Sequence, residues 1–204
     1  MPLLVKICGL TTADDAAAAA AAGADAIGVN LWQGSKRYLT AQAARAVLAA
    51  VPSGVLKVGV FVDAPAAEVA ERIVELGLDR AQLHGDELAA DFAALDPARI
   101  IRAVRVRDAD SFDAADAWSP ALWLYDSFVE GFGGAGVSAP WPLIARHARR
   151  PFLLAGGLTP QNVAAAIRAT RPDGVDVASG VEERPGLKDA AKLAAFIGAA
   201  RGAI

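Results

Sequence analysis

From residue 3 to the C-terminus the chain repeats one unit eight times: a short apolar, β-prone run, a turn, then a longer segment with apolar residues at helical spacing. The spacing predicts strands at residues 3–7, 26–30, 56–62, 80–83, 100–106, 122–125, 152–155 and 174–178. Helices are expected between them at 12–22, 41–51, 65–76, 87–95, 111–118, 142–149 and 161–169, with a last one at 187–200. Thr12 stands where a helix cap is wanted and Gly23 where a helix ends, while Pro65 and the pair Thr159-Pro160 suit the start of a helix. Parallel strands need a crossover between them, so this alternation implies a parallel sheet. Eight strands in 204 residues predict a (β/α)8 TIM barrel, one α/β domain spanning residues 1–204, with a doubly wound open sheet as the competing architecture.

Composition narrows the function classes. A chain that is 54% hydrophobic and 21% charged can bury one substantial core. A net charge of −3 leaves no basic excess for a polyanion, so no nucleic-acid partner is expected, whereas a small anion needs only a few placed donors. The alanine run at residues 16–22 is flanked by Asp14, Asp15 and Asp25 and is too short to span a bilayer, and residues 1–6 do not read as a signal peptide. Cys8 is the only cysteine, which rules out an intramolecular disulfide and suits a reducing, cytoplasmic setting. One cysteine and two distant histidines, His84 and His147, offer no metal-ligand spacing, and neither a metal nor an organic cofactor is expected.

In a barrel of this kind the chemistry sits at the C-terminal ends of the strands, which directs attention to polar residues just past each apolar run. Those residues are Cys8, Asp63, Gln82, His84, Asp126 and Asp176. The pairs Gly156-Gly157 and Ser179-Gly180 close the last two strands, where glycine lets backbone N–H groups approach phosphate oxygens. Each has a plainer alternative: a strand-end cysteine is often a small buried hydrophobe, Asp126 could hold a loop, and glycines could form simple turns. The stretch from Gly131 to Gly136 matches GxGxxG formally, but no Asp or Glu follows before Pro172 and no helix begins at once, so a mobile lid fits better than a nucleotide cradle.

Taken in order, these pieces resemble the phosphoribosylanthranilate isomerase family of tryptophan biosynthesis from end to end. Val5-Lys6-Ile7-Cys8-Gly9-Leu10-Thr11 is similar to that family's first-strand signature, and Ser35-Lys36-Arg37-Tyr38 to its carboxylate-binding loop. The segments 58–62, 82–87, 124–127, 154–163 and 175–182 follow in the family's order. The resemblance implies an Amadori rearrangement of a phosphorylated small-molecule substrate, with Cys8 as general base and Asp126 as general acid. It implies substrate contacts from Arg37, Gln82, His84 and Asp176, phosphate contacts from Gly156, Gly157, Ser179 and Gly180, and a monomer or homodimer. The chain departs from the family in the lid, where Val137 replaces the usual lysine. An isomerase of the histidine pathway is the nearest enzyme rival, but such enzymes look built on two aspartates, against which Cys8 counts.

Overall fold

The computed structural model describes residues 3–115, 117–127 and 139–203. Eight parallel strands close into a barrel: β1 (Leu4–Cys8), β2 (Ala26–Asn30), β3 (Leu56–Phe61), β4 (Arg80–Leu83), β5 (Ile100–Val106), β6 (Leu122–Ser127), β7 (Phe152–Leu154) and β8 (Gly174–Val177). Closure comes from β1 pairing with β8, in a register that sets Lys6 opposite Asp176. The open-sheet alternative is thereby excluded. Among the described residues six α-helices pack around the barrel: α1 (Ala13–Ala21), α2 (Ala41–Ala49), α3 (Ala66–Glu75), α4 (Trp141–His147), α5 (Val163–Thr170) and α6 (Ala190–Arg201). No helix among the described residues is long and apolar enough to cross a membrane.

Strand alternation sorts every side chain to one of two places. Val5 and Ile7 point outward into the layer between strands and helices, joined there by Ile27, Leu83, Phe152, Val175 and Phe196, all fully or almost fully buried. Burying each such side chain stabilises the fold by about 1.5–3 kcal/mol. Ala26, Val58, Ile101, Leu124 and Leu153 point inward and fill the lower barrel. Above them the same inward positions turn polar, at Lys6, Gln82, Asp126 and Asp176, all buried.

Helix starts follow local chemistry. Thr12, Thr40 and Asp189 each accept a hydrogen bond from the backbone N–H three residues on, capping α1, α2 and α6. Where helices are expected at 87–95 and 111–118, the described residues form 3₁₀ segments at Ala89–Phe92 and Ala109–Ala115, with a further one at Pro97–Arg99, and residue 116 lies outside the described residues. Glu87 cannot serve as a helix surface residue, because its buried carboxylate accepts from the Asp63 and Gly85 N–H groups and from Arg102. Ser111 accepts from the Arg107 and Asp108 N–H groups, a local competition that disfavours a regular helix.

Two further boundaries differ from expectation. Helix α5 starts at Val163 because Asn162 bonds back to the Thr159 N–H and the Gly157 carbonyl, so Thr159-Pro160 forms a turn rather than a cap and first turn. The last helix starts at Ala190, since Leu187–Lys188 (β10) pairs with Glu182–Arg184 (β9) in an antiparallel hairpin. The glycine-rich segment 131–138, including Val137, lies outside the described residues.

Candidate active site

At the C-terminal mouth, a cavity of about 90 Å³ is lined by Cys8, Arg37, Gln82, His84, Asp126 and Asp176, together with Asn30 and Trp32. A second hollow, of about 50 Å³, adjoins it through Asp126 and Asp176 and is walled by Ser127, Gly156, Gly157 and Ser179. Nearly all the residues singled out in the sequence thus converge on one place. Gly180 sits behind the second hollow, where a Cβ would lie 1.9 Å from the Leu158 carbonyl oxygen, so only glycine lets the loops after β7 and β8 meet. Asp63 is elsewhere: it has φ of 52° and accepts the Asp86 N–H, on a surface dip beside α3. A larger cavity of about 480 Å³ opens at the opposite end of the barrel, but its wall is largely apolar, with Leu3, Leu4, Leu56 and Leu153, and holds none of these groups except Lys6.

Cys8 ends β1 with its thiol turned inward, directly opposite Gly28 of β2. A Cβ at Gly28 would lie 2.8 Å from Cys8 Sγ and 3.2 Å from Lys6 Nζ, so the missing side chain provides the space in which sulfur and ammonium sit together. Lys6 Nζ donates to Asp176 Oδ1 at 2.9 Å, and its side chain is wholly buried. Burial pushes the thiol above its ordinary value, and the Asp176 charge adds to this, while Lys6 and Lys188 pull it back down in part. Burial likewise opposes the charge on Lys6, but Asp176 and Cys8 outweigh it and leave that ammonium harder to deprotonate than usual.

Asp126 ends β6 one residue before the strand does. Its Oδ1 accepts the Ser127 N–H at 2.8 Å and the Ser127 hydroxyl at 3.4 Å. Its Oδ2 lies 3.3 Å from His84 Nε2. An oxygen that already accepts two hydrogen bonds is the poorer seat for a proton, so Oδ2 is the oxygen suited to carry one. Gln82 Nε2 lies 2.9 Å from His84 Nδ1, so His84 bridges Gln82 and Asp126, while Gln82 Oε1 is buried without a hydrogen-bond partner among the described residues.

Arg37 reaches the cavity from the loop after β2 by lying across Gly9, where φ is +72° and a Cβ would meet Arg37 Cδ at 2.3 Å. Its Nε and Nη2 donate to the two carboxylate oxygens of Glu182, at 2.7 and 2.6 Å. Lys188, fully buried, donates to Glu182 Oε1 at 2.8 Å, to the Cys8 carbonyl at 2.7 Å and to the Ala178 carbonyl at 3.0 Å. Glu182 stood in the sequence only as the end of a glycine motif and Lys188 not at all. Their partners lie 145 and 180 residues away, and no local pattern signals such contacts. Among the described residues there is no cluster of three or more His, Cys, Asp or Glu side chains that could hold a metal ion.

Comparison with known proteins converges on one family. A family model described as N-(5'-phosphoribosyl)anthranilate (PRA) isomerase matches residues 5–199. An N-(5'-phosphoribosyl)anthranilate isomerase of Pseudomonas fluorescens is 47% identical over 199 residues, covering 96% of this chain and 94% of the relative. The crystal structure of phosphoribosyl anthranilate isomerase from Thermotoga maritima is similar with a TM-score of 0.89 at 35% identity, over 98% of this chain and 99% of that one. A further isomerase structure, in complex with reduced 1-(o-carboxyphenylamino)-1-deoxyribulose 5-phosphate, gives a TM-score of 0.84 at 34% identity, over the same shares of the two chains.

Proposed function

The chain belongs to the N-(5'-phosphoribosyl)anthranilate isomerase family, and we propose that it performs that family's rearrangement with Cys8 as general base and Asp126 as general acid. The enzyme is an isomerase of tryptophan biosynthesis. The observation that supports this assignment of roles is the shared cavity, lined by both Cys8 and Asp126 and adjoining a glycine-walled hollow.

The chemistry converts an aminoaldose to an aminoketose without change of composition. Asp126 donates its Oδ2 proton to the furanose ring oxygen as the C1′–O bond breaks and the anthranilate nitrogen lone pair forms the C1′=N bond. The Cys8 thiolate then takes the C2′ proton, and the electron pair left behind forms the C1′=C2′ bond and neutralises the iminium nitrogen. The resulting enolamine loses its 2′-hydroxyl proton and gains one at C1′, giving the ketone. Lys6 supplies the positive charge that favours the thiolate. The fork of Arg37 receives the anthranilate carboxylate, and Gln82, His84 and Asp176 take ribose hydroxyls. The backbone around Gly156, Gly157 and Ser179, which wall the second hollow, takes the phosphate, with Gly180 letting the loops after β7 and β8 meet beside it.

The test is turnover of N-(5'-phosphoribosyl)anthranilate, followed by loss of its fluorescence, alongside the corresponding substrate of the histidine-pathway isomerase. Conversion of the first with the second at least a hundredfold slower is expected. Conversion of neither, or of the second alone, would overturn the assignment.

A further inference from the structure

We propose that Glu182 and Lys188 are the positioning residues of Arg37, holding its guanidinium so that one edge is fixed and the other is presented as a ready-made receptor for the substrate carboxylate. The inference rests on Arg37 being that carboxylate's anchor. Glu182 engages the side-on edge, Nε and Nη2, in a paired contact. A guanidinium has five N–H donors in one plane, so this leaves the end-on fork, one Nη1 and one Nη2 hydrogen, for a second carboxylate. Nη1 has no protein partner among the described residues, and Arg37 lines the cavity.

Charge explains the third member. Arg37 with Glu182 alone is a neutral pair and attracts no anion strongly. Lys188 touches the same Glu182 oxygen as Arg37 Nε; burial pulls its ammonium below the ordinary lysine value while Glu182 and Cys8 push it back in part, and in its charged form it brings the triad to a net charge of +1. Burial works against the Glu182 charge, yet the contacts from Arg37 and Lys188 together hold its carboxyl below the ordinary glutamate value, so it stays ionised and keeps its grip. The couple also reaches the base, since Lys188 donates to the Cys8 carbonyl. The β9–β10 hairpin therefore bonds both to the carboxylate receptor and to the strand end that carries the thiol. Fixing a long, flexible side chain before binding spares the ordering cost that ligand association otherwise meets, and that gain is read in affinity.

A double-mutant cycle on the intact enzyme tests this, with KM and kcat for N-(5'-phosphoribosyl)anthranilate as readouts. Glu182→Gln in the wild-type background should raise KM about tenfold, the loss falling mainly on KM rather than kcat. Arg37→Ala should raise KM at least as much. In the Arg37→Ala background, Glu182→Gln should add less than about twofold, because its effect passes through the arginine. Equal effects of Glu182→Gln in both backgrounds, or no rise in KM, would overturn the inference while leaving Arg37 as the anchor. An unchanged KM for Arg37→Ala would instead remove the anchor and the inference with it. If Glu182→Gln does not fold, Glu182→Asp, which keeps the charge and shortens its reach, enters the same cycle with the same criteria.

Discussion

Cys8 titrates in competition with its surroundings, and those surroundings make opposite predictions for two neighbours. Burial and Asp176 push the thiol up, whereas Lys6 pulls it down. A raised value means that the thiolate fraction grows as pH rises beyond the ordinary cysteine range and is small at neutral pH. Removing the ammonium in Lys6→Met should move the titration to higher pH; removing the carboxylate charge in Asp176→Asn should move it to lower pH. The rate of iodoacetamide alkylation against pH reads Cys8 alone, because the chain has no other cysteine. Shifts of the same sign in the two variants would contradict this electrostatic picture.

The strands decide where these groups stand. Cys8 and Gly28 are register partners on β1 and β2, and the glycine leaves room for Sγ. Gly28→Ala places a methyl where sulfur and the Lys6 ammonium now meet, and displacement of a reacting group by roughly 1 Å can cost about a hundredfold in rate. A kcat loss of about tenfold to a hundredfold is expected from steady-state kinetics, with circular dichroism unchanged. A variant within twofold of wild type would show that the close approach is not needed. Strands are also what the sequence made legible, because a buried parallel strand writes its own apolar run and its inward polar residues follow at even spacing. Thus Cys8, Gln82, Asp126 and Asp176 could be singled out from one chain. The segments 87–95 and 111–118 misled for the converse reason: their apolar spacing suits a helix, but Glu87 and Ser111 spend their side chains on backbone groups of the adjoining loops. Glu182 and Lys188 were hidden because closure of the barrel, not local pattern, brings them to Arg37 and Cys8.

At the scale of the whole molecule the barrel closes through a seam, β1 against β8, that also contributes Cys8 and Asp176 to the candidate site. The β1–β8 junction joins the two ends of the chain, and across it Lys6 and Asp176 form a buried ion pair. Stripping one partner from a buried pair costs about 3–5 kcal/mol, whereas replacing both with apolar groups is often neutral or stabilising. Lys6→Met should therefore lower the melting temperature by roughly 6–20 °C, since each kcal/mol moves Tm by about 2–4 °C at this size. Lys6→Met combined with Asp176→Leu should recover most of that stability without recovering turnover, as measured by calorimetry and assay together. A double variant less stable than Lys6→Met alone would show that the pair holds the barrel shut rather than serving the site. The proposed catalysis needs a thiol from the first strand and a carboxyl from the sixth to act on one substrate. Its most direct measurement is kcat for Cys8→Ala and for Asp126→Asn, with binding of the reduced product analogue measured on the same samples. The prediction is a loss of about 10²- to 10⁴-fold in kcat for each variant with analogue affinity kept within about threefold. Turnover by either variant within threefold of wild type would contradict it.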